Sequence, residues 1–171
     1  MVAPVQPPPL PASVLQRVLT IARLDGLSVV GVAAAGSGLA AIMGDPTGTV
    51  VGGGVVLAGM LELAGVRSLK NGRVGGVDRL VASQLLLLAL IWSYVGARLW
   101  QGTDTMVARL LTPDRLAQLA GWGVDTGRLL DLVHLTLPIT YGVIVLATLA
   151  YQGGLALFYH RQRGAIRSAL G

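Results

Sequence analysis

The chain of 171 residues is 53% hydrophobic and only 12% charged, whereas soluble domains carry about 25% charged residues. This composition argues against a water-soluble protein, and the mean hydropathy of +0.69 indicates lipid as the solvent. The chain has no cysteine, which excludes disulfides, thiolate metal sites and cysteine nucleophiles. Its net charge of +5 comes from short basic clusters between apolar runs, so we expect no nucleic-acid partner.

The first 25 residues divide into a tail and an amphipathic helix. Residues 1–11 hold five prolines and no charged side chain, which is typical of an extended tail. Residues 12–25 place apolar side chains on one side and polar ones on the other, which predicts a helix. This helix either lies in the membrane interface or prolongs the first membrane span, and Gly26 is a natural bend between the two.

Four apolar segments are long enough to cross a bilayer, which takes about 20 helical residues. They cover about residues 26–43, 47–66, 80–99 and 132–159. We therefore predict an all-α integral membrane protein, a four-helix bundle with short interfacial amphipathic helices.

Small residues mark one face of the second span. Gly48 and Gly52 form a GxxxG step, and Gly54, Ala58 and Gly65 continue the small-residue face along the helix. Because small residues let membrane helices approach closely, we expect these positions to pack against neighbouring helices.

Residues 100–131, between the third and fourth spans, form a helical loop outside the membrane. Thr112 followed by Pro113 and an acid predicts a helix start, and the sequence from Gly121 to Gly123 predicts its end. Asp125 or Thr126 is placed to cap the next helix.

The Lys and Arg residues indicate how the chain is oriented. Nine of the 13 lie before the first span, between the second and third, or after the fourth, and four lie in or beside residues 100–131. The positive-inside rule then places both termini in the cytoplasm, with residues 161–171 as a basic tail. We expect the plasma or inner membrane. The nine are Arg17, Arg23, Arg67, Lys70, Arg73, Arg79, Arg161, Arg163 and Arg167.

Glu62 is the sharpest candidate for a functional residue, because acids inside membrane spans are costly and mark functional sites. It lies five residues from Arg67, about 7 Å along a helix. Gln84 and its neighbour Ser83 lie at matching depth on the third span. A hydrogen bond from Gln84 or Ser83 to Glu62 is therefore natural. Glu62 either ties the second span to the third or acts as a proton or cation site.

A second candidate is a polar stripe on the fourth span. Thr136, Thr140 and Tyr151 fall on one face by helical spacing. Threonines in membrane helices commonly bond their own backbone or a neighbouring helix, although such a stripe can also line a pore in an oligomer. His134 and His160 lie at opposite ends of the same span and cannot share a metal, so we expect no metal and no cofactor.

Two functions follow from this pattern. We expect a non-catalytic polytopic membrane protein, a self-associating or accessory subunit of a membrane complex. Its partners are then the lipid bilayer and further copies or other membrane subunits. The alternative is a small oligomeric ion or proton channel or transporter that uses Glu62. No arrangement of a nucleophile with a base indicates an enzyme.

Overall fold

The computed structural model describes residues 10–171, and these form six α-helices. Residues 1–9 of the predicted tail lie outside the described part. The helices are α1 (Pro11–Ile42), α2 (Pro46–Lys70), α3 (Gly76–Trp100), α4 (Thr103–Leu110), α5 (Pro113–Gly121) and α6 (Thr126–Leu170).

The helices α1, α2, α3 and α6 are long and apolar enough to cross a membrane. The predicted all-α architecture with four membrane helices is thereby confirmed, and the chain is an integral membrane protein. Helix α6 has 45 residues, which corresponds to about 68 Å, roughly twice the hydrocarbon thickness of a bilayer. It begins before the predicted span and includes most of the predicted basic tail.

The sequence leaves residues 12–25 either as an interfacial helix or as an extension of the first span, and the structure has the extension. Helix α1 continues through Gly26 without interruption, so residues 12–25 prolong the first membrane helix. Gly26 is a packing position, because a Cβ added there would lie 3.0 Å from Cδ2 of Leu63 on α2. Its missing side chain lets α1 and α2 approach each other.

The turns between the first three helices depend on two glycines in the left-handed region. Gly44 follows α1 with φ +69°, and Gly72 follows α2 with φ +74°. L side chains rarely adopt this conformation, because Cβ crowds the backbone there. Pro46 begins α2 in its first turn, where its missing N–H costs nothing.

The predicted boundaries around α5 agree with the structure. Pro113 opens the helix after Thr112 at the N-cap position, although the Thr112 side chain makes no capping bond, and Gly121 closes it. At the start of α6, Oδ1 of Asp125 accepts a hydrogen bond of 3.1 Å from the Arg128 amide. Asp125 therefore caps this helix.

The chain divides into two compact units, and α3 and α6 run through both. The first contains the described residues up to Leu90 together with Tyr151–Gly171, and the second contains Ile91–Ala150. In the first unit, side chains from four helices form an apolar core. They are Val18 and Ala22 of α1, Val66 and Leu69 of α2, Val77 and Leu80 of α3, and Tyr159 and Ile166 of α6.

The small residues of α2 pack against two different helices. A Cβ added at Gly52 would lie 2.7 Å from Cβ of Ser37, and one added at Gly48 would meet Cβ of Ala40, so both glycines contact α1. On the other side, Gly54 and Gly65 face leucines of α3. Ala58 is fully buried. The small residues thus hold α2 between α1 and α3.

Candidate functional site

Five polar side chains meet in the first unit, and we call them the carboxyl cluster. They are Asp25 of α1, Glu62 of α2, Gln84 of α3, and Tyr151 and Tyr159 of α6. Glu62, Gln84 and Tyr159 are completely buried, Asp25 is 6% exposed, and Tyr151 is 56% exposed.

The Gln84 amide lies between the two carboxyl groups. Its Nε2 donates one hydrogen bond of 3.0 Å to Oδ2 of Asp25 and one of 2.9 Å to Oε1 of Glu62. Both amide hydrogens are therefore used, and each pairs a donor with a strong acceptor. The opposite orientation of the amide would set its carbonyl oxygen against two carboxyl groups.

The two tyrosines complete the cluster from α6. The Tyr151 hydroxyl donates to Oδ1 of Asp25 at 2.8 Å, and the Tyr159 hydroxyl donates to Oε1 of Glu62 at 3.1 Å. Each carboxyl group thus receives one amide hydrogen and one phenol hydrogen. Hydrogen bonds to carboxylates are stronger than bonds between neutral groups.

The cluster occupies positions that the helix periodicity assigns to the core. Asp25 follows the buried Val18 and Ala22 at spacings of seven and three, so it shares their face of α1. Gln84 follows the buried Leu80 by four residues on α3. The same stripes that bury the apolar core therefore bring these polar side chains together.

The electrostatics of the cluster are those of two acids without a basic hydrogen-bond partner. The Asp25 and Glu62 carboxyl groups accept hydrogen bonds from the same Gln84 nitrogen, and the amide and phenol donors are neutral. Two ionised carboxylates that share one donor in a medium of low dielectric constant repel each other. Among the described residues, Oε2 of Glu62 and Oε1 of Gln84 are buried and have no hydrogen-bond partner.

The sequence-predicted residues of the second and third spans lie together, but they make different bonds. The predicted hydrogen bond between Glu62 and Gln84 is present. Ser83 is completely buried beside them, and its hydroxyl donates to the Leu80 carbonyl of its own helix at 2.8 Å. Ser83 is therefore a neighbour of the cluster and not a hydrogen-bond partner of Glu62.

The three residues of the predicted polar stripe have separate hydrogen-bond partners. The Thr136 hydroxyl donates to the Leu132 carbonyl, and the Thr140 hydroxyl donates to the Thr136 carbonyl, both at 2.8 Å. Bonds of this kind let a threonine face lipid without an unsatisfied hydroxyl. Tyr151 instead bonds Asp25. The helical spacing that suggested the stripe is real, but the hydroxyl groups have separate partners.

Sequence reasoning missed Asp25 and Tyr159. Asp25 ends a segment with an amphipathic pattern, next to a glycine typical of a bend, and this pattern does not distinguish a position at the membrane surface from one inside the bundle. Its spacing from Val18 and Ala22 is the signal that identifies it as inward-facing. Tyr159 ends the predicted fourth span, and it lies three residues from the buried Ala156 on the same face.

Within residues 10–171, no group of three or more His, Cys, Asp or Glu side chains could hold a metal ion. His134 lies near one acid, with its Nδ1 at 3.6 Å from Oδ1 of Asp104, and both side chains are substantially exposed.

The chain matches no protein-family model, no curated protein and no solved structure.

Proposed function

We propose that the protein is a small proton channel or transporter, acting as an oligomer, and that its carboxyl cluster takes up and releases protons. The observation that carries this proposal is the Gln84 amide bound between Asp25 and Glu62, two buried acids on two different membrane helices.

The energetics favour a proton-binding role. An ionised acid at the centre of a membrane helix costs about 2.5–3.5 kcal/mol on insertion scales. Uptake of a proton removes one of the two charges, and with it the repulsion between the carboxyl groups. Acids kept at such cost inside a membrane are typical of proton relays.

The exposure of the cluster suggests where a proton enters. Tyr151 is half exposed, while its hydroxyl reaches the nearly buried Asp25. Glu62 lies deeper and is completely enclosed. Because Tyr151 belongs to a membrane span, its exposed side faces lipid or another subunit; we infer that in the oligomer it borders the route by which protons reach Asp25 and then Glu62.

Proton flux in proteoliposomes tests the proposal. Under an imposed proton gradient, the wild type should acidify the vesicle lumen, as reported by an internal pH-sensitive dye. Glu62→Gln should abolish this flux and leave the thermal melt unchanged. Gln keeps the shape and hydrogen-bonding capacity of Glu but cannot titrate. Asp131→Asn, a change at an exposed acid of α6, serves as the matched control and should conduct like the wild type. Absence of flux in the wild type, or undiminished flux in Glu62→Gln, contradicts the proposal.

The second candidate is a non-catalytic, self-associating or accessory subunit, in which the cluster only ties the helices together. Two observations favour it. The most apolar window of α6 contains no buried residue, and a Cβ at Gly31 or Gly38 on α1 would meet nothing within 4 Å. These surfaces suit another membrane helix as well as lipid.

Assembly in nanodiscs tests this candidate. Gly31→Leu with Gly38→Leu should lower the oligomer mass without unfolding the protomer, because both positions are open. An unchanged mass would remove the support for self-association. In both candidates we place the protein in the plasma or inner membrane with both termini in the cytoplasm, and we assign it no catalytic reaction.

A further inference from the structure

A groove of about 530 Å³ lies between α1 and the end of α2, apart from the carboxyl cluster. Its polar wall includes Thr20 and Arg23 of α1 and Lys70 of α2. Its apolar wall includes Leu24 and Leu27 of α1. All these residues belong to the first unit.

The charge of the groove has one sign. Among the described residues that line it, Arg23 and Lys70 are the charged ones, and both are exposed. The neighbouring acid, Asp25, points away into the interior, where it is bound to Gln84 and Tyr151. The groove therefore presents two cations to an anion.

The apolar wall indicates what carries the anion. Leu24 is 65% exposed and Leu27 is 51% exposed. Leu27 lies four residues beyond Arg23, about 6 Å further along α1. A ligand that pairs with the cations can thus lay a hydrocarbon chain along these leucines, where it removes apolar surface from water or headgroups.

We propose that this groove binds a phospholipid with an anionic headgroup. Its phosphate lies between Arg23 and Lys70, and one acyl chain lies along Leu24 and Leu27. Basic pockets between membrane helices bind anionic lipid headgroups through such contacts. The proposal is independent of proton transport, since the groove shares no residue with the carboxyl cluster.

Native mass spectrometry of the full chain, released from detergent with added lipid, tests the proposal. The probes are a phosphatidylglycerol and a phosphatidylcholine with the same acyl chains; both carry the phosphate, but the cationic choline makes the second headgroup neutral overall. Each cation near an anionic headgroup favours binding by about fivefold. The wild type should therefore prefer phosphatidylglycerol by about 30-fold, and Arg23→Gln with Lys70→Gln should lose that preference.

Three control measurements sharpen the result. Arg73→Gln changes an exposed cation of the α2–α3 turn and should keep the preference. Leu24→Ser with Leu27→Ser should weaken binding of both lipids. Inorganic phosphate should compete only weakly with phosphatidylglycerol. Equal binding of the two lipids by the wild type, an undiminished preference in the Arg23/Lys70 double variant, or full competition by inorganic phosphate overturns the proposal.

Discussion

Replacing Gln84 with Leu tests whether the carboxyl cluster stabilises the fold. The change removes the amide that donates to Asp25 at 3.0 Å and to Glu62 at 2.9 Å. Leu has a volume close to that of Gln, so we expect little cavity formation. The loss of stability then reports mainly on the two hydrogen bonds.

The expected magnitude follows from intramembrane hydrogen bonds measured elsewhere, which average about 0.6 kcal/mol and reach about 1.7 kcal/mol. Two such bonds amount to about 1–3 kcal/mol. The unfolding equilibrium constant of Gln84→Leu should therefore rise about 5- to 150-fold.

The measurement is reversible unfolding by sodium dodecyl sulfate in mixed micelles, followed by circular dichroism. Ser83→Ala is the matched control, because Ser83 is equally buried but bonds only its own helix. It should cost about 0.5 kcal/mol or less. If Gln84→Leu is as stable as the wild type, or Ser83→Ala costs as much, the amide does not hold the helices together.

Three further predictions concern packing, the tyrosine bond and orientation. Gly52→Leu should disrupt the contact between α1 and α2, because a Cβ at this position would lie 2.7 Å from the Ser37 side chain. Gly53→Leu should melt like the wild type, since a Cβ there would meet nothing within 4 Å; equal melting temperatures of the two variants would contradict this packing. Tyr159→Phe keeps the ring in the core and loses one hydrogen bond of 3.1 Å. In the same assay it should lower the free energy of unfolding by about 0.6–1.7 kcal/mol, and a larger decrease would indicate a packing role. Because the chain has no cysteine, Asn71→Cys should react with an impermeant thiol reagent only from the cytoplasm and Asp114→Cys only from outside; the reverse pattern would invert the orientation.

The membrane helices were predictable because the bilayer strongly constrains the sequence of a helix that crosses it. A helix crossing a bilayer needs about 20 apolar residues, and few other structures produce four such runs in a short chain. The pairing of Glu62 with Gln84 was predictable for a related reason. Glu62 lies five residues before Arg67 and Gln84 lies five residues after Arg79, and these two cations flank the turn between α2 and α3, so both side chains lie at the same depth.

The second acid of the cluster was not predictable in the same way. Asp25 lies close to Arg23 and next to Gly26, so its surroundings in sequence resemble those of a membrane surface. Its inward direction depends on α1 continuing through Gly26, which packs against Leu63 of α2. The local pattern leaves both an interfacial and a continuous helix open, and the uninterrupted α1 selects the one in which Asp25 faces inward.

Tyr151 and Tyr159 belong to one helix but bond different carboxyl groups. They are separated by eight residues, about 12 Å along the axis of α6. Because a helix moves as a stiff rod, a slide of α6 by a single residue, about 1.5 Å, would stretch both phenol bonds at once. The two phenol bonds therefore fix the axial position of α6 against carboxyl groups on two other helices, α1 and α2.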